Sequence, residues 1–122
     1  MDKEQALHQF WSSLGIAAYE ENSVPDGATF PYVTYQKLSG RLEDALYPTG
    51  SIWTRNSSWA EADALKRQLE AKFEHGGIIY KLDNGRIYIS QGSPFAQGMS
   101  DDVDKMVKRY VINLAVEFLT AY

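Results

Sequence analysis

Hydrophobic positions recur at helical spacing through the first segment of the chain. From Asp2 to about Ala18, Leu7, Phe10, Trp11, Leu14 and Ala17 or Ala18 share one stripe, with Asp2, Lys3, Glu4 and Gln9 on the wet side. The polar stretch "YEENSVPDGATF" follows. Its Pro25-Asp26-Gly27 predicts a turn, because proline presets the first turn position and glycine accepts the strained one. "FPYVTYQKL", Phe30 to Leu38, is rich in β-branched and aromatic residues and reads as a strand, with Pro31 tolerable at its start or at a sheet edge. In "SGRLEDALYPTG", Pro48 and Gly50 argue against a central strand, which leaves a loop or an irregular edge strand. A strand from Ser51 to Arg55 then leads through a polar turn into a second helix. Ser57 or Ser58 caps that helix, and Ser58 and Glu61 have the spacing of a capping box. Ala62, Leu65, Leu69 and Phe73 form its buried stripe, and Gly76-Gly77 ends it.

In "IIYKLDNGRIYIS", Asn84-Gly85 is the preferred pair for a two-residue hairpin turn. That turn predicts Leu82 facing Ile87 and Tyr80 facing Ile89 on an apolar side, with Lys81 opposing Tyr88 on the other, next to an Asp83–Arg86 pair. Residues 91–105, "QGSPFAQGMSDDVDK", read as a long interaction loop, since a loop of that length in a small domain is usually functional or mobile. The last stretch, "VKRYVINLAVEFLT", alternates cleanly. Tyr110, Ile112, Leu114, Val116 and Phe118 take one face and Arg109, Asn113 and Glu117 the other, as in a central strand.

The element order is therefore α-β-β-α-β-β-β. It predicts an α+β fold: one mostly antiparallel sheet of about five strands with two helices on its apolar face. A chain of 122 residues fits a single domain spanning 1–122. The net charge of −4 argues against general binding to DNA or RNA, whose affinity comes from neutralising phosphates. With no cysteine, disulfides and thiolate metal sites are impossible. The opening "MDKEQALHQF" lacks the basic and apolar regions of a signal peptide. No apolar run approaches the ~20 residues of a membrane span, so the expectation is a soluble chain made in the cytosol.

Candidate chemistry is sparse. His8 and His75 lie near a helix start and a helix end, and no nucleophile elbow, phosphate loop or zinc-binding helix motif occurs. Asp101, Asp102 and Asp104 lack calcium-loop spacing and read as a solvated loop or a Ser-capped turn, so no metal is expected. A sheet face carrying Lys81, Arg86, Tyr88 and Arg109 could stack single-stranded nucleic acid, but the chain lacks the aromatic strand motif of an RNA-recognition domain. Trp53 and Trp59, six positions apart, read as a strand-to-helix corner. No catalytic residue and no cofactor emerges. The residues favour a binding or structural role over an enzyme.

The succession of "FPYVTYQ", "SIWTR", a helix of the "AEADALKRQL" kind, a hairpin, a glycine-proline loop and the long strand "RYVINLAVEFL" resembles the tail terminator, or tail completion, proteins of long-tailed bacteriophages and prophages. The likeness runs over most of the chain and departs at Pro48 and Gly50, where such proteins usually run an uninterrupted strand, and in the "SPFAQGMSDD" loop. The resemblance implies a non-enzymatic protein of the virion, assembled in the bacterial host cytoplasm. Such a protein forms a homo-oligomeric ring, typically a hexamer, on the finished tail tube. It stops tube polymerisation and offers a surface for head joining. The expected partners are further copies of the chain, the tail tube protein and a head–tail connector protein, with genomic DNA passing through unbound. Under this implication the loop after Gln91 meets the neighbour, through Pro94, Phe95, Met99, Asp101 and Asp102. Three rivals stand beside it: another head–tail joining component, a single-stranded nucleic-acid module using Lys81, Tyr88 and Arg109, and a small enzyme with an unrecognised site.

Overall fold

A computed structural model describes residues 1–38, 46–101 and 103–120. Helix α1 (Lys3–Ser12) opens with a capping box: the Asp2 carboxylate accepts from the Gln5 N–H at 2.8 Å and the Gln5 side chain from the Asp2 N–H at 2.9 Å. It buries Ala6, Leu7, Phe10 and Trp11. The predicted extension to about Ala18 does not occur. Gly15, at φ 82°, enters the left-handed region and turns the chain out of the helix. A strand the sequence reading missed, β1 (Ala17–Glu20), takes the next residues. The order is thus α-β-β-β-α-β-β-β.

Strands β2 (Tyr32–Tyr35), β3 (Thr49–Arg55), β4 (Ile78–Leu82), β5 (Gly85–Ser100) and β6 (Val107–Thr120) complete one six-stranded sheet in the order β1-β2-β3-β6-β5-β4. β1 and β2 pair in parallel and every other pair is antiparallel. The α+β class holds, with the mixed sheet curled into a half-barrel. Both helices supply its inner layer. Val33, Ile52, Ile87, Ile89, Ile112, Leu114, Val116 and Phe118 are all buried, and with the α1 residues and Leu69 and Phe73 they form one core. The alternation along β6 is borne out, and β6 is central, between β3 and β5.

Gly50, expected to lie outside a central strand, sits in β3 between β2 and β6. A Cβ there would stand 2.5 Å from Cζ2 of buried Trp11, so the strand gives up a side chain to admit an indole. Pro48 precedes the strand, and most of the stretch ahead of it, residues 39–45, lies outside the described residues. Helix α2 (Ala60–Ala71) also differs in detail. The Ser58–Glu61 capping box does not form; Ser58 Oγ accepts from the Ala60 N–H at 3.3 Å and Trp59 is the cap residue. The Trp59 ring stands edge-on to Tyr110, 5.3 Å between centroids, and an added Cβ on Gly98 would lie 3.3 Å from it. That seat, on the inner side of β5 and β6, sets where α2 begins.

The hairpin turn falls one residue early. Leu82 pairs with Gly85, Tyr80 with Ile87 and Ile78 with Ile89, so the turn residues are Asp83 and Asn84. Gly85 joins the strand, while the Asp83 N–H donates to the Met1 carbonyl at 3.1 Å and its carboxylate meets the Met1 ammonium at 2.6 Å. The predicted partners are displaced by two residues in the pairing, and a displacement by two leaves every side chain on its predicted face.

The interaction loop at 91–105 is the largest correction. β5 continues to Ser100, and β6 begins at Val107. Between Gln91, paired with Leu114, and Ala96, paired with Ile112, four residues oppose Asn113 alone. This wide bulge explains why glycine and proline stand inside a strand. Gly92 lies where a Cβ would be 2.8 Å from the Asn113 backbone, and the Asn113 side-chain amide donates to the Pro94 carbonyl at 2.8 Å.

Candidate functional site

Cross-strand partners in a sheet share a face, so the pairing register alone lays out the surface opposite the helices. One register row runs Ala17, Tyr32, Trp53, Arg109, Met99 across β1, β2, β3, β6 and β5. Tyr19 and Phe30 flank Tyr32, at 6.1 and 5.2 Å between ring centroids, and Tyr32 stacks against Trp53 at 6.4 Å. The Arg109 guanidinium lies over the Trp53 ring, 4.7 Å from its centroid, in cation–π geometry. Two hydrogen bonds fix this arrangement. The Trp53 indole N–H donates to Thr34 Oγ1 and the Arg109 Nε–H to Ser51 Oγ, both at 2.9 Å.

The sequence makes this row by alternation. In "FPYVTYQ", Val33 and Tyr35 point inward, so Tyr32 and Thr34 point out; in "SIWTR", Ile52 and Thr54 point inward, so Ser51, Trp53 and Arg55 point out. Period-2 reading of those two strands would have found Tyr32 and Trp53 on one surface. Tyr19 had no such signal, because its strand was read as helix and loop. Met99, at one end of the row, is 51% exposed, and Phe30, beside Tyr32, is 37% exposed. No helix covers it.

The predicted interface residues separate. Phe95 is not an exposed anchor: the bulge turns it inward, edge-on to Phe73 at 5.7 Å, against the core. Pro94 stays exposed on the bulge, tied to Asn113. Met99 is on the outer row. The Asp101 carboxylate accepts from the Val103 and Asp104 N–H groups at 2.7 and 3.0 Å and so builds the β5–β6 turn, while Asp102 lies outside the described residues. Asp104 is held below the ordinary carboxylate range by the Met106 N–H and then by Arg55, whose Nε is 3.1 Å away. Among the described residues no group of three or more His, Asp or Glu could hold a metal.

The proposed basic platform does not assemble either. Lys81 and Arg86 pair across β4 and β5, and Arg86 pairs with Leu119. Arg109 is ten positions from Leu119 along β6, about 33 Å at the rise of an extended strand. Tyr88 is engaged locally, its hydroxyl accepting from the Gly77 N–H at 3.2 Å.

One arrangement has the look of a relay. Tyr35 Oη stands 2.9 Å from His8 Nδ1, and Ser12 Oγ 3.2 Å from His8 Nε2. Burial, then Glu20 and Glu4, push the Tyr35 hydroxyl above its ordinary pKa. Ser12, however, is the last residue of α1, where a helix presents carbonyl oxygens and the negative end of its dipole. That is the wrong sign for stabilising an oxyanion, so the group reads as a surface hydrogen-bond chain tying α1 to β2.

Fold and surface together define an α+β domain whose developed feature is the aromatic row on the outer side of the curled sheet. No protein-family model, curated protein or solved structure matches the chain. Among the described residues no helix is long and apolar enough to cross a membrane.

Proposed function

We propose that this chain is a non-enzymatic assembly protein of a phage tail: a ring-forming tail terminator that caps the tail tube and offers the surface for head joining. The reading rests on the resemblance carried by "FPYVTYQ" and "SIWTR". One observation carries it further. The outward residues of those same two segments, Tyr32 and Trp53 with Arg109 beside them, form a single surface row that the chain's helices leave uncovered. A fold needs the inward half of each strand; an aromatic outward half, rigid and amphipathic, suits a protein–protein contact. In this reading the partners are further copies of the chain, the tail tube protein and a head–tail connector protein, and the protein sits in the virion at the head–tail junction. Its net charge of −4 would spare it from gripping DNA passing through a ring.

Mass photometry and negative-stain electron microscopy of the purified chain, alone and with polymerised tail tubes, test the proposal. Closed rings, and tubes that stop growing with density at one end, are the expected result. A strict monomer at high concentration that ignores tubes would sink it.

A further inference from the structure

We infer that the outer sheet face around Trp53 and Arg109 docks a second copy of this chain, whose acidic β1–β2 connection, carrying Glu21 and Asp26, lies over it. The inference rests on the ring reading and specifies its subunit contact.

The face has the form of a contact surface. Its row crosses four inter-strand spacings of about 4.8 Å each, roughly 19 Å in all. It holds Tyr32 stacked on Trp53, Tyr19 edge-on to Tyr32 and a guanidinium anchored by Ser51, and it ends in exposed Met99. It is also electropositive in a chain that is negative overall. Beside Trp53 the outward strand positions carry Arg55 and Arg109 and no carboxylate, while Lys81, Arg86 and Glu117 lie at the far end of the sheet. Arg55 is paired with Asp104, but among the described residues no carboxylate comes within ion-pair distance of Arg109.

The complementary charge is on the same molecule, at a place that does not meet it. From Glu4 to Gln36 the sequence has four carboxylates, Glu4, Glu20, Glu21 and Asp26, and neither lysine nor arginine. Glu20 is taken up locally, accepting from the Asn22 N–H at 3.0 Å and from the Asn22 and Ser23 side chains at 3.1 and 3.2 Å. Glu21 and Asp26 are exposed, and among the described residues their carboxylates accept no hydrogen bond and pair with no cation. The connection runs from β1 to β2, two strands short of β6 or about 10 Å, and among the described residues none of its carboxylates forms an ion pair with Arg109. A cationic aromatic face and an acidic connection on different parts of one chain are satisfied together by two copies. Because the two patches differ, the contact is heterologous, and repeating it closes a ring or extends a filament. An arginine over an aromatic ring is also the kind of residue that carries interface energy.

Charge reversal tests this in the full chain by sedimentation velocity and electron microscopy. Arg109→Glu, and separately Glu21→Lys with Asp26→Lys, are expected to weaken self-association at least tenfold. The chain carrying all three changes has complementary patches again and is expected to recover rings. Arg86→Glu, on the same face but at the far end of β5, should leave assembly unchanged. Circular dichroism and a thermal melt check that each variant is folded. Wild-type rings from Arg109→Glu would overturn the inference while leaving the ring reading intact. So would a folded triple variant that fails to recover, or an Arg109→Glu protein that forms rings but no longer binds tubes. A wild-type chain that never assembles would instead bring down the ring reading, and the contact with it.

Discussion

Replacing Gly50 with alanine introduces a single methyl group into β3, at the point where the strand passes under Trp11. The added carbon would lie 2.5, 2.6 and 3.0 Å from Cζ2, Cη2 and Cε2 of the indole. Those distances are well inside carbon–carbon contact, so something must move. Trp11 has little room to do so. It is 1% exposed, edge-on to Phe10 at 5.1 Å and stacked on Tyr35 at 6.5 Å. Forcing a methylene-sized group into a packed core costs about 1–3 kcal/mol. Against this, alanine loses less chain entropy on folding than a glycine in a strand, which returns up to about 1 kcal/mol. The balance is a loss of about 1–2 kcal/mol, or roughly 4–8 °C in Tm for a domain of this size. Urea unfolding followed by tryptophan fluorescence measures it as a lower midpoint at unchanged m-value. Trp11→Phe removes the very carbons that clash, so the double variant should cost less than the sum of the two singles by about 1 kcal/mol. A neutral or stabilising Gly50→Ala, or strictly additive costs, would refute the explanation of why glycine occupies a central strand.

The Tyr110 hydroxyl donates to the Asp63 carboxylate, and that bond, ahead of burial, pushes its pKa up to about 12. A tyrosine raised above its unfolded value of about 10 stabilises the fold fully below pH 10 and loses that contribution as pH climbs from 10 through 12. Wild-type stability should therefore fall across that window more steeply than that of Tyr110→Phe, which at pH 7 should cost about 1 kcal/mol because the site is partly solvated; equal slopes would count against the bond. Phe95 and Met99 should behave oppositely on truncation to alanine. Phe95, packed on Phe73, should cost about 2–4 kcal/mol in a thermal or urea melt, while Met99, exposed on the outer face, should stay within about 0.5 kcal/mol.

What could be read from the sequence was whatever depended on a local period. The alternation of β6, the stripe of α2 and the hairpin's faces followed from repeats of two or 3.6 residues, which burial of one side enforces. Gly50, Gly92 and Gly98 mislead because each is explained by a side chain or backbone distant in sequence: Trp11, Asn113 and Trp59. Local rules read glycine and proline as punctuation, and so a strand of 16 residues looks like a loop where its bulge lies. The missed β1 has the same cause. Four residues paired in parallel to β2 leave no alternation long enough to see, and Gly15 breaks the helix that appeared to absorb them.

The two close tryptophans show what this means for a candidate site. In sequence Trp53 and Trp59 form one corner, but the sheet runs between them. Trp59 sits on the inner side, over Gly98 and beside Tyr110, with Lys108 Nζ 5.9 Å from its ring centroid, and anchors α2. Trp53 faces outward with its N–H spent on Thr34 and its ring under Arg109. An indole whose polar atom is satisfied and whose cation is already stacked has no unmet need within its own chain. What remains is a preorganised, low-entropy surface, and ordering those side chains is a cost that a docking partner would no longer have to meet. That is the physical reason to look for function on the outer face at Trp53, and for stability on the inner face at Trp59.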